Sequence, residues 1–278
     1  MHRRSFMAGT AALALMPGWP ARAAPDAELW PRWKAHDPSA TAAIDHGAWA
    51  GILERHVRPG EDGINRVAYD EVTQAGRDRL RRYLDRLQSV TIDAYARPEQ
   101  FAFWVNLYNA LTLDVVLDHW PVATIRDIDI SPGLFADGPW DKKLATVQGI
   151  ELSLNDIEHR ILRPIWRDPR VHYAVNCASI GCPNLRREPF TGAKLDRQLD
   201  DAARAYAAHP RGATVRGGEL VVSSIYVWFQ ADFGGDDAGV IAHLRTHAPD
   251  AKAAELAGHS HIADDRYDWA INAVTPPA

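Results

Sequence analysis

The chain has 278 residues, of which 46% are hydrophobic and 24% are charged, and its formal net charge is −5. This composition is that of an ordinary globular protein, so it excludes a disordered, collagen-like or disulfide-scaffold chain. The acidic charge balance and the lack of a long basic run in the sequence argue against nucleic acid as a partner.

The first 23 residues have the organisation of a secretory signal. Two arginines at positions 3–4 are followed by an apolar stretch over 6–16 and by an A-x-A cleavage site at 21–23. Residues 3–7 resemble the twin-arginine export motif. The apolar stretch is far shorter than the about 20 residues that cross a bilayer. We therefore expect residues 1–23 to be a twin-arginine-type signal peptide. The mature protein would be periplasmic or secreted, with no stable membrane insertion after signal removal.

After a lead-in over residues 24–44, apolar residues at helical spacing predict helices over 44–56 and around Leu80–Leu87. The strongest helix signal runs from about Pro98 to His119. This helix is apolar around so much of its circumference that we expect it to be buried. Asn106 and Asn109, three positions apart, share one face of it and must find hydrogen-bond partners there.

The next predicted elements are a hairpin over Leu144–Ser153 with Gln148-Gly149 at its turn, and a helix over Leu154–Arg163. A Ser153/Asp156 capping pair begins this helix, and Pro164 is expected to end it. Alternating residues over 171–176 predict a strand with two distinct faces.

The remaining pattern predicts several short elements. They are a helix over 195–206, a hairpin centred on Gly217-Gly218, a short aromatic helix over 224–229, a helix over 240–244 and a closing strand, Tyr267–Val274. No repeat or linker divides the sequence. We therefore expect a single α+β domain over residues 45–274, with helices packed on an antiparallel sheet.

Four segments in this order and spacing resemble the domain-of-unknown-function 547 family. They are FWVNLYNALTLDVVL (103–117), LSLNDIEHRILRP (152–164), HYAVNCASIGCPNL (172–185) and SSIYVWFQADFGG (223–235), and YDWAIN (267–272) fits as well. The resemblance covers roughly residues 45–272. It implies no assigned activity, but its characteristic polar positions all match here, at Asn106, Asn109, Asn155, Glu158, His159, His172, Asn176, Cys177 and Cys182.

The matched residues suggest nucleophilic catalysis by a cysteine. A thiol needs a base or an electropositive setting to ionise near neutral pH, and an amide can orient that base. If residues 172–177 form a strand, His172 and Cys177 lie about 16 Å apart at ~3.3 Å per residue, on opposite faces. We therefore predict that Cys177 pairs with His159, with His172 as an alternative base. Cys182 could fold back toward His172.

In this hypothesis Asn106 or Asn109 orients the base or contacts the oxyanion, and the reaction is acyl transfer or hydrolysis of an amide or thioester. The further residues expected to bind substrate are Asn176, Cys182, Glu158 and Trp104. A domain of helices and antiparallel sheet that uses Cys, His and Asn is similar to papain-like and transglutaminase-like enzymes, an analogy at the level of the fold.

The cysteines and histidines allow two other interpretations. Cys177 and Cys182 could form a disulfide in a non-catalytic binding or scaffold domain, since export favours such bonds. The histidines and cysteines are also zinc-ligand types, although Cys-x4-Cys lies outside the tightest zinc-finger spacings. The chain has no G-x-G-x-x-G, Walker lysine or G-x-S-x-G, which argues against nucleotide enzymes and against serine hydrolases with a nucleophile elbow. We predict no cofactor. The expected partner is a small-molecule or peptide-like substrate.

Overall fold

The helix Arg97–His119 is the element on which the larger part of the core packs. In the computed structural model, which describes residues 25–133 and 137–277, nearly every side chain of this helix from Glu99 to Leu117 is buried. Pro98 lies in its first turn, where the missing N–H costs no hydrogen bond. The predicted buried helix is therefore confirmed. The predicted signal peptide, residues 1–23, lies outside the described residues.

Helices dominate the fold and the strands are short. The described α-helices are α1 (Gly47–His56), α2 (Gln74–Gln88), α3 (Arg97–His119), α4 (Arg163–Trp166), α5 (Leu195–Ala208), α6 (Ser224–Trp228), α7 (Asp237–His247) and α8 (Asp250–Leu256). The described strands are β1 (Val57–Pro59), β2 (Asn65–Val67), β3 (Ala145–Val147), β4 (Ile150–Leu152), β5 (Ala213–Arg216), β6 (Glu219–Ser223) and β7 (Asp264–Arg266). The fold class is α+β, as predicted.

The strands form three small sheets. The β1–β2 and β3–β4 pairs are antiparallel, and β6 lies between antiparallel β5 and parallel β7. Both predicted hairpins are found. Each turn consists of two residues with positive φ, namely Gln148 (47°) with Gly149 (78°), and Gly217 (61°) with Gly218 (86°). Two consecutive residues of this kind match the twist of the flanking strands. No helix within residues 25–133 and 137–277 combines the length and apolarity needed to cross a bilayer.

The helix after β4 begins as predicted. The Asp156 N–H donates to Ser153 Oγ (3.1 Å) and the Ser153 N–H donates to Asp156 Oδ2 (2.9 Å). These reciprocal bonds satisfy backbone donors that a helix start otherwise leaves unpaired. The helix then widens into π-turns over Asp156–Leu162 before α4.

The prediction that Pro164 ends this helix is wrong. Proline has no N–H to donate to the preceding turn. Two carbonyls of that turn, those of His159 and Arg160, accept instead from the backbone N–H groups of Glu28 and Trp30, both at 3.0 Å. The lead-in segment therefore supplies partners from outside the helix, which continues past the proline.

The predicted strand over 171–176 is also wrong, because Pro169–Tyr173 is a 3₁₀-helix. Asp168 caps it by accepting from the Arg170 N–H (2.9 Å), and Pro169 suits a first helical position. This local turn chemistry overrides the alternating pattern. The argument that His172 and Cys177 point to opposite faces of a strand therefore does not apply.

The closing strand is shorter and earlier than predicted, since β7 ends at Arg266. Within the predicted range Tyr267–Val274, single residues bridge to earlier parts of the chain. Ala270, Ile271 and Ala273 make these isolated pairings. The C-terminal segment thus connects loops instead of extending a sheet.

Buried apolar side chains form two clusters. The larger one surrounds α3, and the smaller one joins α5, β6, α7 and α8. The loop that carries the two cysteines lies between them, because Tyr173 packs in the smaller cluster whereas Val175 and Ala178 pack in the larger one.

Candidate active site

Asn106 and Asn109 on α3 position two loops through their backbones. Asn106 accepts from the Phe190 N–H (3.1 Å) and donates to the Phe190 carbonyl (2.8 Å). Asn109 accepts from the Asn176 N–H (2.8 Å) and donates to the Ala174 carbonyl (2.9 Å). Both amides are buried. The expected network therefore exists, but these bonds join backbone groups and do not reach either sulfur.

Asn176 shapes the cysteine loop from within. Its Nδ2 donates to the Pro183 carbonyl (2.7 Å) and its Oδ1 accepts from the Ala178 N–H (2.9 Å). Ala178 has φ 61°, a left-handed conformation that costs roughly 1–2 kcal/mol outside glycine. The hydrogen bond from Asn176 helps to hold this turn. Cys177 and Cys182 meet across it.

The two cysteines are free thiols in close contact. Cys177 Sγ lies 3.2 Å from Cys182 Sγ, 3.1 Å from Ser179 Oγ and 3.0 Å from Tyr267 Oη. The Cys177 side chain is partly exposed, whereas Cys182 is buried. Cys177 therefore sits among three groups that can donate hydrogen bonds to its sulfur.

Tyr267 reaches Cys177 because the segment that follows it pairs with the cysteine loop. The N–H groups of Ile180 and Gly181 donate to the carbonyls of Ala270 and Asp268, both at 2.8 Å. A Cβ on Gly181 would lie 2.8 Å from the Asp268 nitrogen, so only glycine permits this approach.

The surroundings favour an ionised Cys177. The Cys182 thiol, and then the Ser179 and Tyr267 hydroxyls, stabilise the thiolate by hydrogen bonds and lower the pKa of Cys177 to about 6, against the opposing effect of burial. Burial and the neighbouring Cys177 raise the pKa of Cys182 well above its usual value. These opposite shifts favour loss of a proton from Cys177 before Cys182.

The predicted pairing of Cys177 with His159 is not found. His159 Nδ1 accepts from Arg163 Nη1 (3.0 Å), and burial, followed by the Arg163 charge, lowers the pKa of His159 to about 3. His172 Nε2 lies 2.7 Å from Asp232 Oδ2, which also accepts from Arg163 Nε (2.6 Å). Both imidazoles thus belong to a separate cluster organised by one arginine and one carboxylate.

Glu158 lies between the histidine cluster and the cysteine loop. Its Oε1 is 3.8 Å from His172 Nδ1. Burial raises the pKa of Glu158 to about 7, Arg163 and the Tyr108 hydroxyl oppose this rise, and the Cys177 charge adds to it. This carboxyl group is therefore sensitive to charge on both sides.

Replacing Glu158 with glutamine is expected to change how stability depends on pH. A carboxyl pKa raised from 4.5 to about 7 stabilises the fold below pH 4.5, and this stabilisation is lost as pH rises through 7. Relative to Glu158→Gln, the wild type should lose about 3 kcal/mol of unfolding free energy between pH 4 and pH 8. Urea unfolding across this range measures the difference. If the free energies of unfolding of the wild type and Glu158→Gln varied with pH in parallel, the prediction would be wrong. The control is Glu151→Gln, which replaces an exposed carboxylate.

Residues 92–207 match the family described as protein of unknown function, DUF547. This segment of the chain is therefore similar to the DUF547 family. None of the curated proteins and none of the solved structures compared with the chain matches it.

The DUF547 match contains three of the four segments on which the resemblance was based, with both cysteines and both clustered histidines. Asp232 and Tyr267 lie beyond it. Each is nevertheless bonded to a residue of the matched segment, Asp232 to His172 and Tyr267 to Cys177. The candidate site is thus completed by residues of the C-terminal part of the chain, outside the DUF547 match.

Trp104 does not line the site as expected. It is 1% exposed and packs edge-on against Trp33 and Phe103 in the larger core. Sequence reasoning also missed four site residues: Arg163, Ser179, Asp232 and Tyr267. All four lie within the segments that resemble the DUF547 family, so polar side chains in those segments were the available signal.

The residues proposed as metal ligands are divided between two places. The imidazoles of His159 and His172 lie with Arg163, and the two thiols lie with Tyr267. In the part of the chain that the structure describes, no group of three or more His, Cys, Asp or Glu side chains is close enough to hold a metal ion.

Proposed function

We propose that the protein is a cysteine-dependent enzyme of acyl transfer or hydrolysis, with Cys177 as the nucleophile. The observation that supports this most is the contact of Cys177 Sγ with the Tyr267 hydroxyl (3.0 Å) and the Ser179 hydroxyl (3.1 Å) beside Cys182. These donors lower the pKa of a partly exposed thiol to about 6. Reactive cysteines sit in such settings, whereas inert ones are buried and protonated.

In the proposed reaction the Cys177 thiolate attacks the carbonyl carbon of the substrate. A C–S bond forms and negative charge moves to the carbonyl oxygen. The Tyr267 and Ser179 hydroxyls, no longer held by a thiolate, are available to donate to that oxygen. The leaving group departs with its bonding electrons. Water or an acceptor hydroxyl then attacks the acyl carbon and loses its proton to solvent, the C–S bond breaks, and the Cys177 sulfur leaves as a thiolate.

A thioester fits this site better than an amide. An amine leaving group must receive a proton as it departs, usually from an imidazole. Among the contacts of the described residues, the neighbours of the Cys177 sulfur are a thiol and two hydroxyls, not an imidazole. A thiolate leaves without prior protonation and takes its proton from solvent. We therefore favour thioesters as substrates of the proposed enzyme, acting in the periplasm or outside the cell.

The proximity of the two sulfur atoms favours one alternative. Thiols 3.2 Å apart could be oxidised to a disulfide in the exported protein, giving a non-catalytic binding or scaffold domain. In that case the nucleophile would be absent, and loss of the cysteines would affect stability alone.

The test is formation of an acyl-enzyme. The reduced protein is mixed with an acetyl thioester of N-acetylcysteamine, and peptides are analysed by mass spectrometry after an acid quench. We expect one acetyl group on Cys177, retained in Cys182→Ser and lost in Cys177→Ser. Circular dichroism checks that both variants fold. Acetylation that is absent, or equal in Cys177→Ser, would refute the proposal and favour the alternative.

A further inference from the structure

We propose that four partly exposed aromatic side chains beside Cys177 form a subsite for an uncharged aromatic acyl group of the substrate. This inference rests on the proposed function and adds the class of acyl group. The aromatic subsite consists of Trp140, Trp228, Tyr267 and Trp269.

The four rings contact one another in sequence. The ring centroids of Trp140 and Trp269 are 6.0 Å apart, and those of Trp228 and Trp269 are 5.6 Å apart with 27° between their planes. Tyr267 lies 4.9 Å from Trp228 and 4.6 Å from Trp269. These separations are those of favourable aromatic pairs.

These tryptophans differ from those of the core. Trp33, Trp49 and Trp104 are at most 2% exposed, so their surfaces are fully used by packing. Trp140, Trp228 and Trp269 keep part of their surface open to solvent. Aromatic side chains that are packed on one side and open on the other are common in ligand sites.

The aromatic subsite lies where the two apolar cores meet. Trp140 and Trp269 pack against the larger cluster, whereas Trp228 and Tyr267 pack against the smaller one. Ligand sites commonly form at such junctions, because side chains from both sides line the space between them.

Tyr267 connects the aromatic subsite to the proposed nucleophile. Its hydroxyl is 3.0 Å from Cys177 Sγ, and its ring contacts both Trp228 and Trp269. One side chain, Tyr267, thus contacts both the sulfur and two tryptophans of the subsite. The phenylacetyl group, whose ring is one carbon from the carbonyl, is a simple acyl group that carries an uncharged ring.

The surrounding charges favour an uncharged ring. Arg266 and Asp268 flank Tyr267 and both are exposed, and Arg266 Nε lies 3.4 Å from Asp264 Oδ2. The charges beside the tyrosine are therefore of both signs and give no net attraction to an ionic group. The guanidinium of Arg126 lies 5.4 Å from the ring centroid of Trp269. Its Nε–H donates a hydrogen bond to Asp137 Oδ2 (2.8 Å). This cation is already paired and offers little attraction to a carboxylate.

The experiment compares two N-acetylcysteamine thioesters, phenylacetyl and acetyl, in hydrolysis by the wild type and by Trp269→Ala. We expect Trp269→Ala to raise the KM for the phenylacetyl thioester about fivefold to tenfold. The acetyl thioester has no ring to bind there, so its KM should rise by a clearly smaller factor. Trp166→Ala is the matched control, because Trp166 is partly exposed but contacts Phe101 and not the subsite.

A second readout does not require catalysis. In Cys177→Ser, the phenylacetyl thioester should quench tryptophan fluorescence with saturation, and Trp269→Ala should weaken this binding by a similar factor. Binding without hydrolysis by the wild type would retain the subsite and refute the proposed function. Hydrolysis with equal KM values for both thioesters, and no saturable quenching, would refute the subsite and retain the function.

Discussion

Replacing Asn109 with leucine is expected to lower the free energy of unfolding by about 3 kcal/mol. The two side chains are similar in size, so the main change is the loss of hydrogen bonds to the Asn176 N–H and the Ala174 carbonyl. Both backbone groups lie in the buried part of the loop, and leaving a buried polar group unpaired costs more than a hydrogen bond contributes.

Urea unfolding at neutral pH measures this effect. Asn155→Leu is a suitable control, since Asn155 is only partly buried and its amide donates to exposed Asp141. The control should lose less than about 1 kcal/mol. Equal stability of Asn109→Leu and the wild type would show that α3 does not hold the cysteine loop.

Local signals in the sequence predicted most of the elements that depend on neighbouring residues; the exception is the 3₁₀-helix Pro169–Tyr173, whose Asp168 cap is also local. The helix α3 follows from its continuous apolar surface, and the β3–β4 and β5–β6 hairpins follow from their turn residues. The capping pair of Ser153 and Asp156 also formed as predicted. In each case the residues that decide the structure lie within a few positions of one another.

Elements that depend on distant partners were not predicted. The helix continues past Pro164 because Glu28 and Trp30 donate to its carbonyls. Nothing in the sequence around Pro164 indicates that a segment so far away would bind there. Pro164 alone therefore wrongly predicted the end of the helix.

The candidate site was predicted in part. Sequence reasoning selected Cys177 and Cys182, and the structure brings these two sulfurs together. It assigned His159 as the base, but the Nδ1 of that imidazole accepts a hydrogen bond from Arg163. The partner that the structure provides, Tyr267, is 90 positions from Cys177. Residue spacing cannot reveal which distant segment returns to a loop.

Cys177 should react with iodoacetamide at pH 7 without prior reduction, and Cys182 should not. The reason is that Cys177 is partly exposed and largely ionised, whereas burial keeps Cys182 protonated and inaccessible. Peptide mass spectrometry of the folded protein assigns the label. Unfolding in urea should make both cysteines react, which provides the control for a disulfide.

The pH dependence of this reaction tests the ionisation of Cys177, on which the proposed function depends. The rate constant of Cys177 alkylation should rise with pH, with a midpoint near pH 6. The variant Cys177→Ser, which should give no label at this position, is the control. Tyr267→Phe should move the midpoint upward, because the thiolate loses one donor. A midpoint near pH 9, the ordinary value of a thiol, or no labelling without reduction, would contradict the assignment of Cys177 as a nucleophile.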